Sequence, residues 1–279
     1  MISAELGLRI VSGIVLAAVV LVLTWFGGLP FRVLAVAIAL LIHYEFSTIT
    51  ATRVRDVAGV VIGWIGILAG SALILIGEPD YALGAVLAAG AVAAAAGLVQ
   101  GRGVWAAVAI LYAGFSGLAL AEIRGDTFLG LCAMLFVFAV VWATDIMAYF
   151  CGRALGGPKL APSISPGKTW SGAIFGAAAG VAAGLAVVLA IRPGNGLAIP
   201  FYALALSVAS QAGDLFESWV KRRFGVKDSS RLIPGHGGVM DRVDGLVFAA
   251  FAAFLLGAVL PQSKIFAARG ELVVSLLWQ

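Results

Sequence analysis

The chain has 279 residues, of which 62% are hydrophobic and 11% charged, with a formal net charge of +4 and a mean hydropathy of +1.08. Soluble domains carry about 25% charged residues, so this composition excludes a water-soluble enzyme and leaves no room for a sizeable soluble domain. The pI of 9.3 fits topogenic Lys and Arg on one side of a membrane and calls for no nucleic-acid partner.

Nine apolar segments are read as membrane-crossing helices: 8–26, 31–47, 57–76, 81–99, 104–121, 128–150, 171–191, 198–217 and 245–261. The first is long for a signal-peptide core and has no evident cleavage site, so it is expected to be retained. Gly and Pro punctuate the short breaks, as in Gly27-Gly28-Leu29-Pro30 and Gly77-Glu78-Pro79-Asp80. The expected fold is all-α: a polytopic membrane helical bundle of about nine transmembrane helices, one integral-membrane domain over residues 1–279. Residues 1–127 are N-terminal helices of low specificity, 128–262 hold the catalytic helices and loops, and 263–279, with Lys264, Arg269 and Trp278, are expected to form an interfacial tail. Placing the two long connections, 151–170 and 218–244, in the cytoplasm divides the 18 basic residues 13 against 5. The positive-inside rule favours that orientation.

In the second segment, His43 beside Tyr44 and Glu45 reads as structural. In the sixth, Asp145 shares a helical face with Tyr149 and Gly152. The connection after it holds Lys159 and the run Ser165-Pro166-Gly167-Lys168-Thr169-Trp170, a candidate wall of a nucleotide site. It is not a P-loop, because Pro162 stands where that motif needs glycine. Cys132 and Cys151 lie 19 positions apart on this helix, about 28 Å at 1.5 Å per residue, so they cannot bridge within the chain. The seventh segment carries Gly172, Gly176, Gly180 and Gly184, a ridge that suits either packing within the chain or a homodimer face.

The eighth segment closes with Asp214, Glu217 and Ser218 on one helical face. A carboxylate inside a membrane is costly and is a functional candidate for that reason. Lys221, Arg222, Arg223, Lys227 and Arg231 follow. Lys221, Arg222 and Lys227 crowd the carboxylates and are assigned to phosphate contact, and Arg223 to a solvated face. The turn Pro234-Gly235-His236-Gly237-Gly238 is expected to present backbone N–H groups to an anion. His236 suits a hydrogen bond donated to a phosphate oxygen, proton transfer or a structural role. Asp241 and Asp244 supply oxygens of the kind Mg²⁺ takes, together with substrate phosphates and water. Asp214, Asp241 and Asp244 are the expected metal ligands, the other reading of Asp241 being a helix N-cap for the ninth segment. The residues thus point to phosphate and divalent-metal chemistry on a phospholipid head group.

The stretch Ser218 to Asp244 resembles the signature of the phosphatidate cytidylyltransferases, or CDP-diacylglycerol synthases. Ser218, Lys221, Arg222, Lys227, Asp228, Pro234, His236, Gly237, Gly238, Asp241, Arg242 and Asp244 meet its fixed positions. Asp145, Ala148, Tyr149 and Gly152 resemble the family's DxxAYxxG helix, and Ser165, Pro166, Lys168, Thr169, Trp170 and Gly172 its SPKKTWEG loop. Gly167 and Ser171 depart from that loop, where Lys and Glu are common. The specific resemblance covers about the last 135 residues. It implies joining CTP and phosphatidate into CDP-diacylglycerol and pyrophosphate, with Mg²⁺ and room for a second cation. Asp214, Lys221, Arg222, Lys227, Asp241 and Asp244 would be catalytic. Asp145, Tyr149, Ser165, Lys168, Thr169, Ser218, His236, Gly237, Gly238 and Arg242 would bind substrate. The implied place is a bacterial inner membrane among its lipids, with the active site on the cytoplasmic face. Related readings are a CDP-archaeol synthase or a polyprenol or lipid-alcohol kinase, and, from another class, an ion or phosphate transporter. No internal repeat of the transporter kind is present in the sequence.

Overall fold

The computed structural model describes residues 4–54, 56–191 and 198–259. Among them are nine helices: α1 (Ala4–Phe26), α2 (Gly28–Val54), α3 (Val57–Ile76), α4 (Pro79–Val99), α5 (Trp105–Arg124), α6 (Phe128–Leu155), α7 (Trp170–Ile191), α8 (Ile199–Phe224) and α9 (Met240–Val259). The connection at 192–197 and the expected interfacial tail lie outside the described residues.

Local chemistry sets the helix ends. Asp56 caps α3 by accepting from Gly59 N at 2.9 Å. Gly77 ends α3 at a φ of 82° and donates to Ile74 O, a left-handed stop that glycine adopts without a Cβ penalty. Pro79 opens α4, where its missing N–H costs nothing. Thr127 caps α6 through Gly130 N at 3.0 Å. The buried Arg124 donates to the carbonyls of Gly125 and Thr127, which fixes the turn between α5 and α6.

Six of these helices, α2 to α7, are long and apolar enough to cross a membrane, so the chain is an all-α polytopic membrane protein. Large apolar side chains remain exposed along them, such as Val57, Val61, Ile65 and Leu68 on α3. Their helical spacing makes an outward stripe suited to lipid. Nine spans were expected. In α1 the apolar stretch is the shorter Ile10–Phe26. The second half of α8 and the first turn of α9 carry the charged residues from Asp214 to Asp244, which lowers their hydropathy.

The connection after α6 holds an antiparallel hairpin, β1 (Lys159–Ala161) and β2 (Ser165–Thr169), with Lys159 opposite Thr169 and Ala161 opposite Ser165. Strands of three and five residues that contain Pro166 and Gly167 show no legible alternation.

The chain forms two compact units. One gathers the helices up to Ala121 with the segment Lys221–Val243; the other runs Glu122–Val220 and resumes at Asp244. In the second unit α7 packs on α6 along the glycine ridge, all four glycines being buried. A Cβ on Gly172 would stand 2.6 Å from Ala148 O, and one on Gly176 2.7 Å from Thr144 O. The ridge is therefore spent on packing within the chain. Thr144 Oγ1 and Ser207 Oγ, 2.8 Å apart, add a buried link from α6 to α8.

Candidate functional site

In the second unit three helices contribute carboxylates: Asp145 from α6, Asp214 from α8 and Asp244 from the start of α9. They lie close enough to interact, since Asp145 feels the charge of Asp214, and Asp244 feels both. Lys168 from β2 joins them. Its Nζ pairs with Asp214 Oδ2, and its charge also reaches Asp145 and Asp244. Ser218 Oγ donates to Asp214 Oδ1 at 3.4 Å, and Gly245 N to Asp244 Oδ1 at 2.8 Å. Among the described residues, three acidic side chains thus stand within electrostatic range of the Lys168 ammonium.

The hairpin explains how Lys168 gets there. Thr169, buried at the end of β2, accepts from Gly172 N at 3.1 Å and so starts α7. It also meets Ser171 Oγ at 3.0 Å, and Ser171 Oγ donates to Gly156 O. Thr169 thus holds the hairpin to α7, a local role the substrate-binding expectation did not include. Gly152 makes room for it: a Cβ there would be 3.0 Å from Thr169 Oγ1. Tyr149 is exposed; its hydroxyl accepts from Arg153 at 2.6 Å, and that guanidinium lies over its ring. Ser165 opens β2 opposite Ala161.

In the first unit the signature loop is organised around two carboxylates. Asp241 Oδ1 pairs with Lys221 Nζ at 2.7 Å, and its Oδ2 accepts Ser229 N, Ser229 Oγ and Gly238 N at 2.8–2.9 Å. The reach back from Asp241 to Gly238 N, three residues earlier, ties the turn to the first turn of α9. Glu45 of α2, with no exposed surface, accepts Ser229 Oγ, Ser230 Oγ, Val239 N and Met240 N. The turn closes through Ile233 N to Gly237 O at 2.8 Å and His236 N to Ile233 O at 2.9 Å. Gly235 and Gly237 have φ of 75° and 82°, the left-handed region that favours glycine. His236 Nδ1 meets Ser12 Oγ of α1 at 2.9 Å.

This geometry narrows one expectation. Within the turn, the N–H groups of His236 and Gly238 are bonded inside the protein rather than presented to an anion, as are those of Val239 and Met240 just beyond it. Gly238 is needed for close packing, because a Cβ there would overlap Ser229 Oγ and stand 2.5 Å from Glu45 Oε1. Asp241 likewise has both oxygens engaged. Arg222, Lys227 and Arg242 are exposed, so their charges face outward. Glu217 is buried. Glu45 is the residue that sequence reasoning missed; the signal was a carboxylate within an apolar segment, the same cost that singled out Asp145 and Asp214.

Among the described residues no three His, Cys, Asp or Glu side chains form a ready metal cage. Mg²⁺ does not require one, since it usually takes one or two carboxylates with waters and substrate phosphates. The carboxyl oxygens of Asp145, Asp214 and Asp244, within electrostatic range of one another and of Lys168, are of the kind such a cation takes.

A sequence model described as the Cytidylyltransferase family matches residues 7–260. The chain is 48% identical over 266 residues to the phosphatidate cytidylyltransferase of Brucella abortus biovar 1 (strain 9-941), covering 95% of this chain and 98% of that one. It is 33% identical over 262 residues to the protein of the same name from Bacillus subtilis (strain 168), covering 89% and 96%. With the Haemophilus influenzae (strain ATCC 51907 / DSM 11121 / KW20 / Rd) phosphatidate cytidylyltransferase it shares 43% identity over 142 residues, 49% of each chain. The full-length similarity extends the resemblance well beyond the last 135 residues, into the N-terminal helices that carry Glu45.

Proposed function

The chain belongs to the cytidylyltransferase family, and from that membership we propose that it makes CDP-diacylglycerol and pyrophosphate from CTP and phosphatidate. The observation that carries the reading to this chain's own residues is the convergence of Asp145, Asp214 and Asp244 with Lys168 in a membrane-embedded unit. In this reaction a phosphate oxygen of the lipid attacks the α-phosphorus of CTP and the bond to pyrophosphate breaks. The nucleophile is already anionic, so no strong base is needed. What the protein must supply is alignment and neutralisation of charge.

Asp214 and Asp244, supported by Asp145, are assigned to hold Mg²⁺. When bound, the cation supplies Lewis-acid neutralisation of phosphate charge. Lys168 holds Asp214 in place through their ion pair. Arg222, Lys227 and Arg242, exposed around the signature loop, are assigned to the anionic substrates. Asp241 and Lys221 form the loop's internal pair, and Asp241 acts through the loop's shape. The test is turnover of labelled CTP with phosphatidate in detergent. CDP-diacylglycerol and pyrophosphate should appear in equal amounts and depend on both substrates. Transfer of the terminal phosphate to a lipid alcohol, with CDP released, would replace this reading with a kinase.

The bacterial relatives and the distribution of Lys and Arg support a plasma-membrane location with the signature loop in the cytoplasm, where CTP is. Leu232 is exposed in that loop, whereas Ser229 is buried. With Cys132 and Cys151 replaced, a Leu232→Cys chain is expected to react with a membrane-impermeant thiol reagent in inside-out vesicles and not in spheroplasts. Labelling in spheroplasts reverses the orientation.

A further inference from the structure

Glu45 lies in a span of α2, yet every hydrogen bond it is seen to accept comes from 184 to 195 residues further along the chain. Its Oε1 accepts Ser230 Oγ at 2.6 Å and Val239 N at 2.8 Å. Its Oε2 accepts Ser229 Oγ at 3.0 Å and Met240 N at 2.7 Å. A buried carboxylate without partners is expensive; this one lies within hydrogen-bond reach of four donors, one of which, the Ser229 hydroxyl, it shares with Asp241. Two of the donors are N–H groups at the start of α9, which have no partner within the helix and where negative charge is favoured.

Ser229 is shared. Its hydroxyl lies 3.0 Å from Glu45 Oε2 and 2.9 Å from Asp241 Oδ2. Gly238, pressed against both Ser229 Oγ and Glu45 Oε1, leaves no space for a side chain. The signature loop is therefore folded around a carboxylate that belongs to the N-terminal helices.

We propose that Glu45 is a positioning residue for nucleotidyl transfer: it fixes the start of α9 and the Ser229–Ser230 corner, and so holds the Lys221–Asp241 pair and the His236 turn in working shape. This rests on the function proposed above. Glu45 itself touches none of the reacting atoms in this scheme.

Glu45→Gln tests it. Each carboxylate oxygen receives one hydroxyl and one backbone N–H. Whichever way the amide lies, its NH₂ faces a backbone donor, so no rotamer restores the set. The expected result is a fall in kcat per folded enzyme of roughly 10- to 100-fold, the range for losing a group that orients a functional residue. Glu45→Asp, which keeps the charge on a shorter stem, should recover part of it. Amide exchange followed by mass spectrometry should quicken over residues 228–240 and stay unchanged in α6 and α7. Unchanged exchange in the loop, or a loss of activity explained wholly by less folded protein, overturns the proposal. Should Glu45→Gln fail to fold, the Ser229→Ala/Ser230→Ala chain keeps Glu45 and its two backbone bonds. It should then show the same two changes, smaller in size, and wild-type kcat with wild-type exchange in that chain also overturns the proposal. If the wild-type protein does not turn over CTP, the function falls, while the exchange measurement still decides whether Glu45 holds the loop.

Discussion

Asp214→Asn is expected to reduce turnover by about 10²–10³-fold, the loss typical of removing one preorganised electrostatic contact from a site. The substitution keeps the size and hydrogen-bonding shape of the side chain and removes its charge. Lys168 Nζ then faces an amide instead of its carboxylate partner, and the charge that acts on Asp145 and Asp244 is gone. Both consequences weaken the same thing, the capacity of this cluster to hold a cation. Asp244→Asn acts on that capacity as well, so the double variant should lose much less than the product of the two single losses. A second readout is independent of catalysis. A ligand that binds only the folded protein raises its stability with ligand concentration, so Mg²⁺ should raise the unfolding midpoint of the wild type and do so less for either variant. Multiplicative losses together with an unchanged response to Mg²⁺ would remove Asp214 and Asp244 from one cation site.

The parts of the fold that were legible in the sequence are those with a long period or a strong cost. Apolar runs of about 20 residues specify helices in a bilayer, and α2 to α7 lie close to where those runs place them. The ridge of Gly172, Gly176, Gly180 and Gly184 announced a close helix contact by its spacing; what covers it, α6 and not a second chain, needed the structure. Asp145 and Asp214 could be singled out because a charge inside a span demands a reason. The same rule applied to Glu45 and was passed over, because its four donors sit near the other end of the sequence and nothing local hints at them. The hairpin was hidden by its brevity. The glycine turn was recognised as a turn, but its sequence is equally compatible with N–H groups aimed outward at phosphate or inward at carboxylates. The positions of Asp241 and Glu45 turn the N–H of Gly238, and that of Val239 just beyond the turn, inward.

Asp241→Asn should be the most damaging single change in the signature loop, and its signature should differ from that of Asp214→Asn. The Asp241 carboxylate accepts Lys221 on one oxygen and Ser229 N, Ser229 Oγ and Gly238 N on the other. An asparagine has one acceptor oxygen. If that oxygen serves Ser229 and Gly238, the NH₂ group confronts the Lys221 ammonium; if it serves Lys221, the NH₂ confronts two backbone N–H groups. Both partners of the ion pair are largely buried, with side-chain exposures of 13% for Lys221 and 5% for Asp241. Removing one partner of a buried pair costs about 3–5 kcal/mol, because the other charge is left uncompensated. At about 1.4 kcal/mol per factor of ten, the loop's ordered state should lose two orders of magnitude or more in population relative to open forms. Turnover should fall with it, and amide exchange across residues 228–240 should quicken even without Mg²⁺ or nucleotide. Raising Mg²⁺ should not restore activity, since the missing group is one that shapes the loop. Recovery of turnover at high Mg²⁺, with the loop's exchange as in the wild type, would instead make Asp241 a metal ligand whose bonds to Lys221 and Ser229 give way when the cation binds.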